Sequence, residues 1–108
     1  MSGIELMELE WMLMRGAIRL LILALLQKSM MTCYQIIKAI QQITERKPSL
    51  STIHDILTEL EERRLIESFT TQQAEKYYKI TELGRRILNE AKGRSLKKMM
   101  NIINIILE

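Results

Sequence analysis

Three short hydroxyl side chains, Ser49, Ser51 and Thr52, stand together just after Pro48 at the start of a helix-shaped segment. One of them is enough to cap a helix. The others are left to hydrogen-bond anionic oxygens or the edges of bases, helped by the free N–H groups of a helix N-terminus. His54 and Thr58 follow at 3- and 4-residue spacings along the same segment, and both can donate or accept. Tyr34, Lys38, Arg46 and Lys47 flank the segment, and Gln72, Gln73 and Lys76 follow it in a polar stretch. Such a set suits recognition of a nucleic-acid duplex: long cations meet phosphates, and short polar groups meet base edges. Solvated charge is the ordinary alternative for each cation. Asp55, Glu59, Glu61 and Glu62 on the same segment work against it, and Glu61 and Glu62 are expected to point away from a groove.

No enzyme chemistry is visible. The chain has one histidine and one cysteine, no Ser/His/Asp pattern, no glycine-rich phosphate loop and no ligand spacing for a metal. The expectation is therefore a non-enzyme without metal or cofactor. Cys33, as a lone cysteine, excludes an intrachain disulfide and points to a reducing compartment. It reads as a small residue at a helix start, with redox sensing as the alternative. The longest nearly unbroken apolar run, Ala17 to Leu26, contains Arg19 and falls well short of the roughly 20 residues of a membrane span. Glu5, Glu8 and Glu10 ahead of it carry the wrong charge for a secretion signal. A soluble, cytoplasmic protein with no membrane partner is expected.

The elements that position these residues follow from pattern. The 108 residues, 47% hydrophobic and 27% charged, suit a single domain spanning 1–108. Net charge is +3 and the pI about 9.2, a mild bias toward anionic partners. Six of the basic residues fall between Arg85 and Lys98, against Glu90 alone. Ile4 to Leu26 predicts one long helix or two abutting ones, with a bend at Gly16. Thr32 and Gln35 have capping-box spacing and open a second helix that ends before Pro48. Ser49 or Ser51 caps a third, with Ile53, Ile56, Leu57 and Leu60 as its inward stripe.

Leu65 to Thr71 and Lys76 to Ile80 alternate like strands, with Tyr78 on the core side and Tyr77 partly exposed. Without Gly or Asn, the turn between them is expected to be a polar loop longer than two residues. Thr81 caps a further helix, and Gly93 marks a bend. The fold class is mainly α with a small β-hairpin (α+β): a winged helix-turn-helix with N- and C-terminal dimerisation helices. Residues 4–92 form the core with its wing, and 93–108 the terminal helix.

That last helix is apolar around most of its girth. Leu96, Met99, Met100, Ile103, Ile106 and Leu107 need cover, and a second copy of the chain is the natural cover. Burying about six such side chains at roughly 1.5–3 kcal/mol each gives a gross gain on the order of 10 kcal/mol before ordering costs. Trp11, the lone tryptophan, belongs to core or dimer packing.

From about Arg15 to Arg86 the chain resembles the PadR-like family of winged-helix transcriptional regulators. Arg15-Gly16 with Leu21 to Leu26 resembles the family's opening helix, Tyr34-Gln35-Ile36 its Gly-Tyr-Glu-Ile element, and Pro48-Ser49 to Leu60-Glu61 its recognition-helix signature. Leu65-Ile66 and Lys76 to Arg85 resemble its wing and the start of its next helix. Cys33 and Ser51 stand where the family usually has glycine, His54 where it has tyrosine, and Asp55 where proline is frequent. Ala74-Glu75 replaces a frequent arginine. The resemblance implies a homodimeric repressor reading a pseudo-palindrome in double-stranded DNA, dimerised through its single terminal helix. It also implies that an aromatic such as Trp11 at a dimer pore can stack on a small, flat hydrophobic effector. The rival expectation is a winged helix that serves only to bind another protein.

Overall fold

Pro48, whose side chain is buried, separates two helices that are each closed by local chemistry. The helix before it, α2 (Cys33–Thr44), opens on a full capping box: the Thr32 side chain accepts from the Gln35 N–H at 3.2 Å, and the Gln35 side chain accepts from the Thr32 N–H at 2.9 Å. It ends where Glu45 turns left-handed, φ 62°. The helix after it, α3 (Leu50–Glu62), opens on Ser49, whose hydroxyl accepts from the Thr52 N–H at 3.1 Å. Of the two expected caps, Ser49 is the one used.

The computed structural model describes residues 3–108, and side chains from Glu5 onward. Met1, Ser2 and the Ile4 side chain, included in the expected 1–108 domain and first helix, lie outside the described residues. The remaining elements are α1 (Gly3–Lys28), β1 (Met31–Thr32), β2 (Ile66–Thr70), β3 (Lys76–Ile80), α4 (Glu82–Gly93) and α5 (Ser95–Leu107). The winged helix is present as expected. The first helix is one continuous element through Gly16, the first of the two expected forms. A short strand, β1, which has no pattern of its own, joins the hairpin to give an antiparallel sheet in the order β1-β3-β2.

Core side chains come from every layer: Ile18, Ile22 and Leu23 of α1, Ile36 and Ile40 of α2, Ile53 and Leu57 of α3, Ile66, Tyr78 and Ile80 of the hairpin, and Leu88 of α4. The α3 stripe Ile53, Ile56, Leu57 and Leu60 is buried as its period requires.

The end of α3 fixes the wing. Leu65 N–H bonds the Leu60 carbonyl at 3.0 Å and Arg64 N–H bonds the Glu61 carbonyl at 2.9 Å, a Schellman turn with Arg64 at φ 62°. Thr81, which caps α4, donates its hydroxyl to the Arg64 carbonyl at 2.6 Å and its N–H to the Leu65 carbonyl at 3.1 Å. Gly84 is pressed against this turn. A Cβ there would collide with the Leu65 carbonyl oxygen and stand 2.7 Å from Ile80 Cγ1.

A second tie joins α1 to α3. Both Arg19 Nε and Nη2 donate to the Glu59 carboxylate, the latter at 3.3 Å. This hydrogen bond holds Glu59 below the usual carboxylate range and raises Arg19.

Gly84→Ala should destabilise the chain by roughly 2–3 kcal/mol, because the neighbour that must yield is backbone. Urea denaturation checks this, and an unchanged midpoint would contradict the packing described. Because Glu59 is depressed in the folded state, its contribution is present at neutral pH and lost on acidification through its folded pKa. Glu59→Gln should therefore melt lower than the parent at neutral pH, and the gap should close as pH falls below the carboxylate range. A pH-independent gap in thermal melts would show that the ion pair does not act this way.

Candidate nucleic-acid interface

The face of α3 opposite its buried stripe is exposed at Ser51, His54, Asp55, Thr58 and Glu62, which fall on the 3- and 4-residue steps 51–54–58–62 and 51–55–58–62. The Thr58 hydroxyl donates back to the His54 carbonyl at 2.9 Å, leaving its lone pairs outward. Capping divides the three hydroxyls. Ser49 Oγ donates to Thr52 Oγ1 at 2.7 Å while accepting the Thr52 N–H, so these two side chains mainly serve each other. Ser51 makes no such bond and is the hydroxyl left over. Sequence reasoning passed over Leu50, the first residue of α3, which is 65% exposed and offers an apolar surface beside Ser51. Its 3- and 7-residue spacings to Ile53 and Leu57 put it in phase with the buried stripe, so the pattern alone gives no sign of its exposure.

The carboxylates of α3 are largely managed within the fold. Arg19 takes Glu59 on one flank, and Ser68 of β2 donates to Glu61 on the other. Both ties lie beside the exposed face and hold the helix in place; the Arg19 guanidinium offsets the charge of Glu59, while the Ser68 hydroxyl turns Glu61 toward the wing. Glu61 is therefore turned to the wing as expected. Glu62 stays on the exposed face, against expectation, but in the last turn of the helix.

Around this face the sequence-chosen cations fall into separate places. Tyr34 is 65% exposed at the start of α2, with Lys38 Nζ 5.4 Å from its ring centroid. Lys47 is exposed in the link to α3. Arg46 instead lies over Trp11, 4.7 Å from the ring centroid, at the far end of α2. Gln72 and Gln73 are exposed at the tip of the wing. There the Ala74 N–H bonds the Thr71 carbonyl at 3.0 Å, and Ala74 adopts φ 63°. This is a three-residue loop with a left-handed closing residue, a hairpin form that usually takes glycine. Lys76 shares a face with Tyr78 and sits 5.4 Å from its ring centroid.

The opposite face of the wing carries a stack that sequence reasoning missed. Phe69 and Tyr77 are cross-strand partners with centroids 5.8 Å apart, and Lys79 pairs with Glu67 at 3.3 Å beside them. The Tyr77 hydroxyl donates to Glu75 at 3.0 Å, which pushes its pKa up. Cys33 is half-buried, and that burial pushes its thiol up, away from the reactive thiolate a redox sensor needs. Among the described residues there is no cluster of His, Cys, Asp or Glu able to hold a metal, and no helix long and apolar enough to cross a membrane.

The expected dimerisation residues sit away from this face. No residue of α5 is buried. Leu96, Met99 and Ile103 line an apolar groove of about 500 Å³ with Leu13, Leu20 and Leu88. Met100, Ile106 and Leu107 are exposed along α5 by 53%, 73% and 78%. Trp11 does not line that groove. It borders a smaller cleft of about 140 Å³ with Met7, Met14, Glu45 and Arg46.

Comparison with known proteins agrees with this architecture. A PadR family regulator from hypervirulent Clostridium difficile R20291 superposes with a TM-score of 0.75 at 26% identity, over 86% of this chain and 100% of that one. A transcriptional regulator from Clostridium thermocellum shares the fold, with a TM-score of 0.78 at 24% identity over 89% and 95%. Bacillus subtilis PadR, in complex with operator DNA, matches with a TM-score of 0.59 at 26% identity over 67% of this chain and 44% of that one. No curated protein sequence matches the chain. The model of the transcriptional regulator PadR-like family matches residues 22–90, which takes in the C-terminal end of α1, the helix-turn-helix, the wing and most of α4. This chain belongs to the PadR-like family of transcriptional regulators.

Proposed function

We propose that the chain is a homodimeric repressor that binds a pseudo-palindromic site in double-stranded DNA, with one α3 in each of two successive major grooves. The observation that carries this reading is the exposed polar face of α3, braced on both flanks within a family of transcriptional regulators. The operator complex of the Bacillus subtilis relative supports the choice of partner. On this reading Ser51, His54 and Thr58 meet base edges, while Ser49 and Thr52 bring the N-terminus of α3 to a phosphate. Tyr34, Lys38 and Lys47 brace on one flanking backbone, and Gln72, Gln73 and Lys76 of the wing on another. The protein-binding alternative drew its force from an acidic α3. The Arg19–Glu59 and Ser68–Glu61 ties weaken that objection.

Pairing of two chains is supported by α5, a helix of 13 residues that buries no side chain within its own protomer. Residues 4–92 are then the DNA-binding unit, and residues 93–108 pack on a second copy together with the exposed apolar side of α1, where Leu13 is 61% exposed. Repression follows by occupancy: a dimer spanning two turns of duplex in the cytoplasm excludes other proteins from it. A small, flat hydrophobic effector stacking on Trp11 would have to displace Arg46 from the ring.

Mobility shifts on genomic duplexes should show binding that weakens with salt by about one log unit per log unit of salt for each phosphate contact. Binding that is absent, or indifferent to salt, on every duplex would contradict the proposal. Ser51→Ala with Thr52→Ala should weaken specific binding about 10-fold and leave the circular dichroism spectrum unchanged. Ile106→Glu should convert dimers to monomers in sedimentation velocity and weaken binding to a palindromic duplex by about 100-fold or more. A variant that stays dimeric would remove α5 from the interface.

A further inference from the structure

We infer that Asp55 is a specificity residue: its carboxylate selects a cytosine, by accepting a hydrogen bond from the exocyclic amine in the major groove. The inference rests on the DNA-binding reading above and adds a base identity to it.

Four carboxylates lie on α3; two are bound within the fold, and of the two unpartnered ones only Asp55 lies at the middle of the outward face. Glu59 is bound by Arg19, Glu61 by Ser68, and Glu62 stands in the last turn, away from the N-terminal half that reaches deepest into a groove. Asp55 is exposed there, four residues after Ser51 and three before Thr58, and makes no hydrogen bond or ion pair with any described residue. With a single methylene it cannot swing clear of a groove as a longer glutamate can.

A carboxylate carried between two rows of phosphates is repelled by both unless the groove floor offers it a donor. Only two base edges do so there, the amines of cytosine and adenine, because guanine O6 and N7 and thymine O4 are acceptors. Adenine sets its N7 acceptor beside the amine, where it repels the second carboxylate oxygen. Cytosine has a C–H in that place, so cytosine is the base favoured. The same side chain penalises guanine and thymine at that step, so it sharpens selection by exclusion as well as by attraction.

Selection of the full-length protein on a random double-stranded pool, followed by sequencing, tests this for the parent, Asp55→Ala and Asp55→Asn. The parent should fix cytosine at one position of the enriched site, by roughly 5- to 100-fold over guanine or thymine. Asp55→Ala should lose the preference at that position alone and bind unrelated duplexes more tightly. Asp55→Asn should move the preference to adenine, whose amine and N7 suit an amide. A parent site with base preferences identical to those of both variants would overturn the role of Asp55 while leaving DNA binding intact. A parent pool with no enriched sequence would overturn the DNA-binding reading and this inference with it.

Discussion

The turn at Arg64 and Leu65 is the constraint on which the rest of the architecture depends. It ends α3, starts the wing and receives the cap of α4, all within a few backbone groups. The Leu65 N–H closes α3 on Leu60, its carbonyl takes the Thr81 N–H, and the neighbouring Arg64 carbonyl takes the Thr81 hydroxyl. Gly84 allows α4 to approach the Leu65 carbonyl where any side chain would collide. Helix, ribbon and following helix are therefore one rigid piece rather than three elements joined by loops. A probe inserted between two phosphate rows needs this rigidity, because misplacement of its hydrogen bonds forfeits their discrimination.

Charge management completes the piece. A helix with four acidic residues is an unpromising partner for a polyanion, and net charge alone says little about it. Arg19 reaches across from α1 to Glu59, and Ser68 reaches from the wing to Glu61. The first pairs a carboxylate with a cation, the second turns one toward the wing, and together they set the roll of α3 about its axis. The exposed face is left with short polar groups, two unengaged carboxylates (Asp55 at its middle and Glu62 in the last turn) and the apolar Leu50 at its edge. The helix that contributes Arg19 also exposes Leu13 and lines the groove beneath α5.

What could be read from the chain was whatever is encoded locally. Thr32 and Gln35 stand three residues apart and announce their capping box, and Ile53, Ile56, Leu57 and Leu60 announce the buried side of α3. Tyr77 and Tyr78 announce opposite faces of a strand. The features that escaped depend on partners far along the chain or on conformations without a residue signature. Arg19 and Glu59 lie 40 residues apart. The strand Met31–Thr32 exists only because Tyr77 and Tyr78 are there to pair with it. Left-handed Arg64 and Ala74 close turns where glycine would have given notice. Gly16 sits inside a continuous helix, because packing of Ile18 to Leu26 on the core outweighs the roughly 1 kcal/mol that glycine costs a helix. At the exposed face, residue types were legible but their commitments were not. Ser49 and Thr52 turned out to serve each other, and only geometry separates them from Ser51.

Two copies of this rigid piece, joined at their apolar ends, would hold their exposed α3 faces a fixed distance apart. Hydroxyl-radical footprinting of the bound duplex tests that directly. Paired copies predict two protected patches, related by symmetry and centred about 10 base pairs apart on one side of the helix. A single patch, or uniform protection without that spacing, would contradict the account.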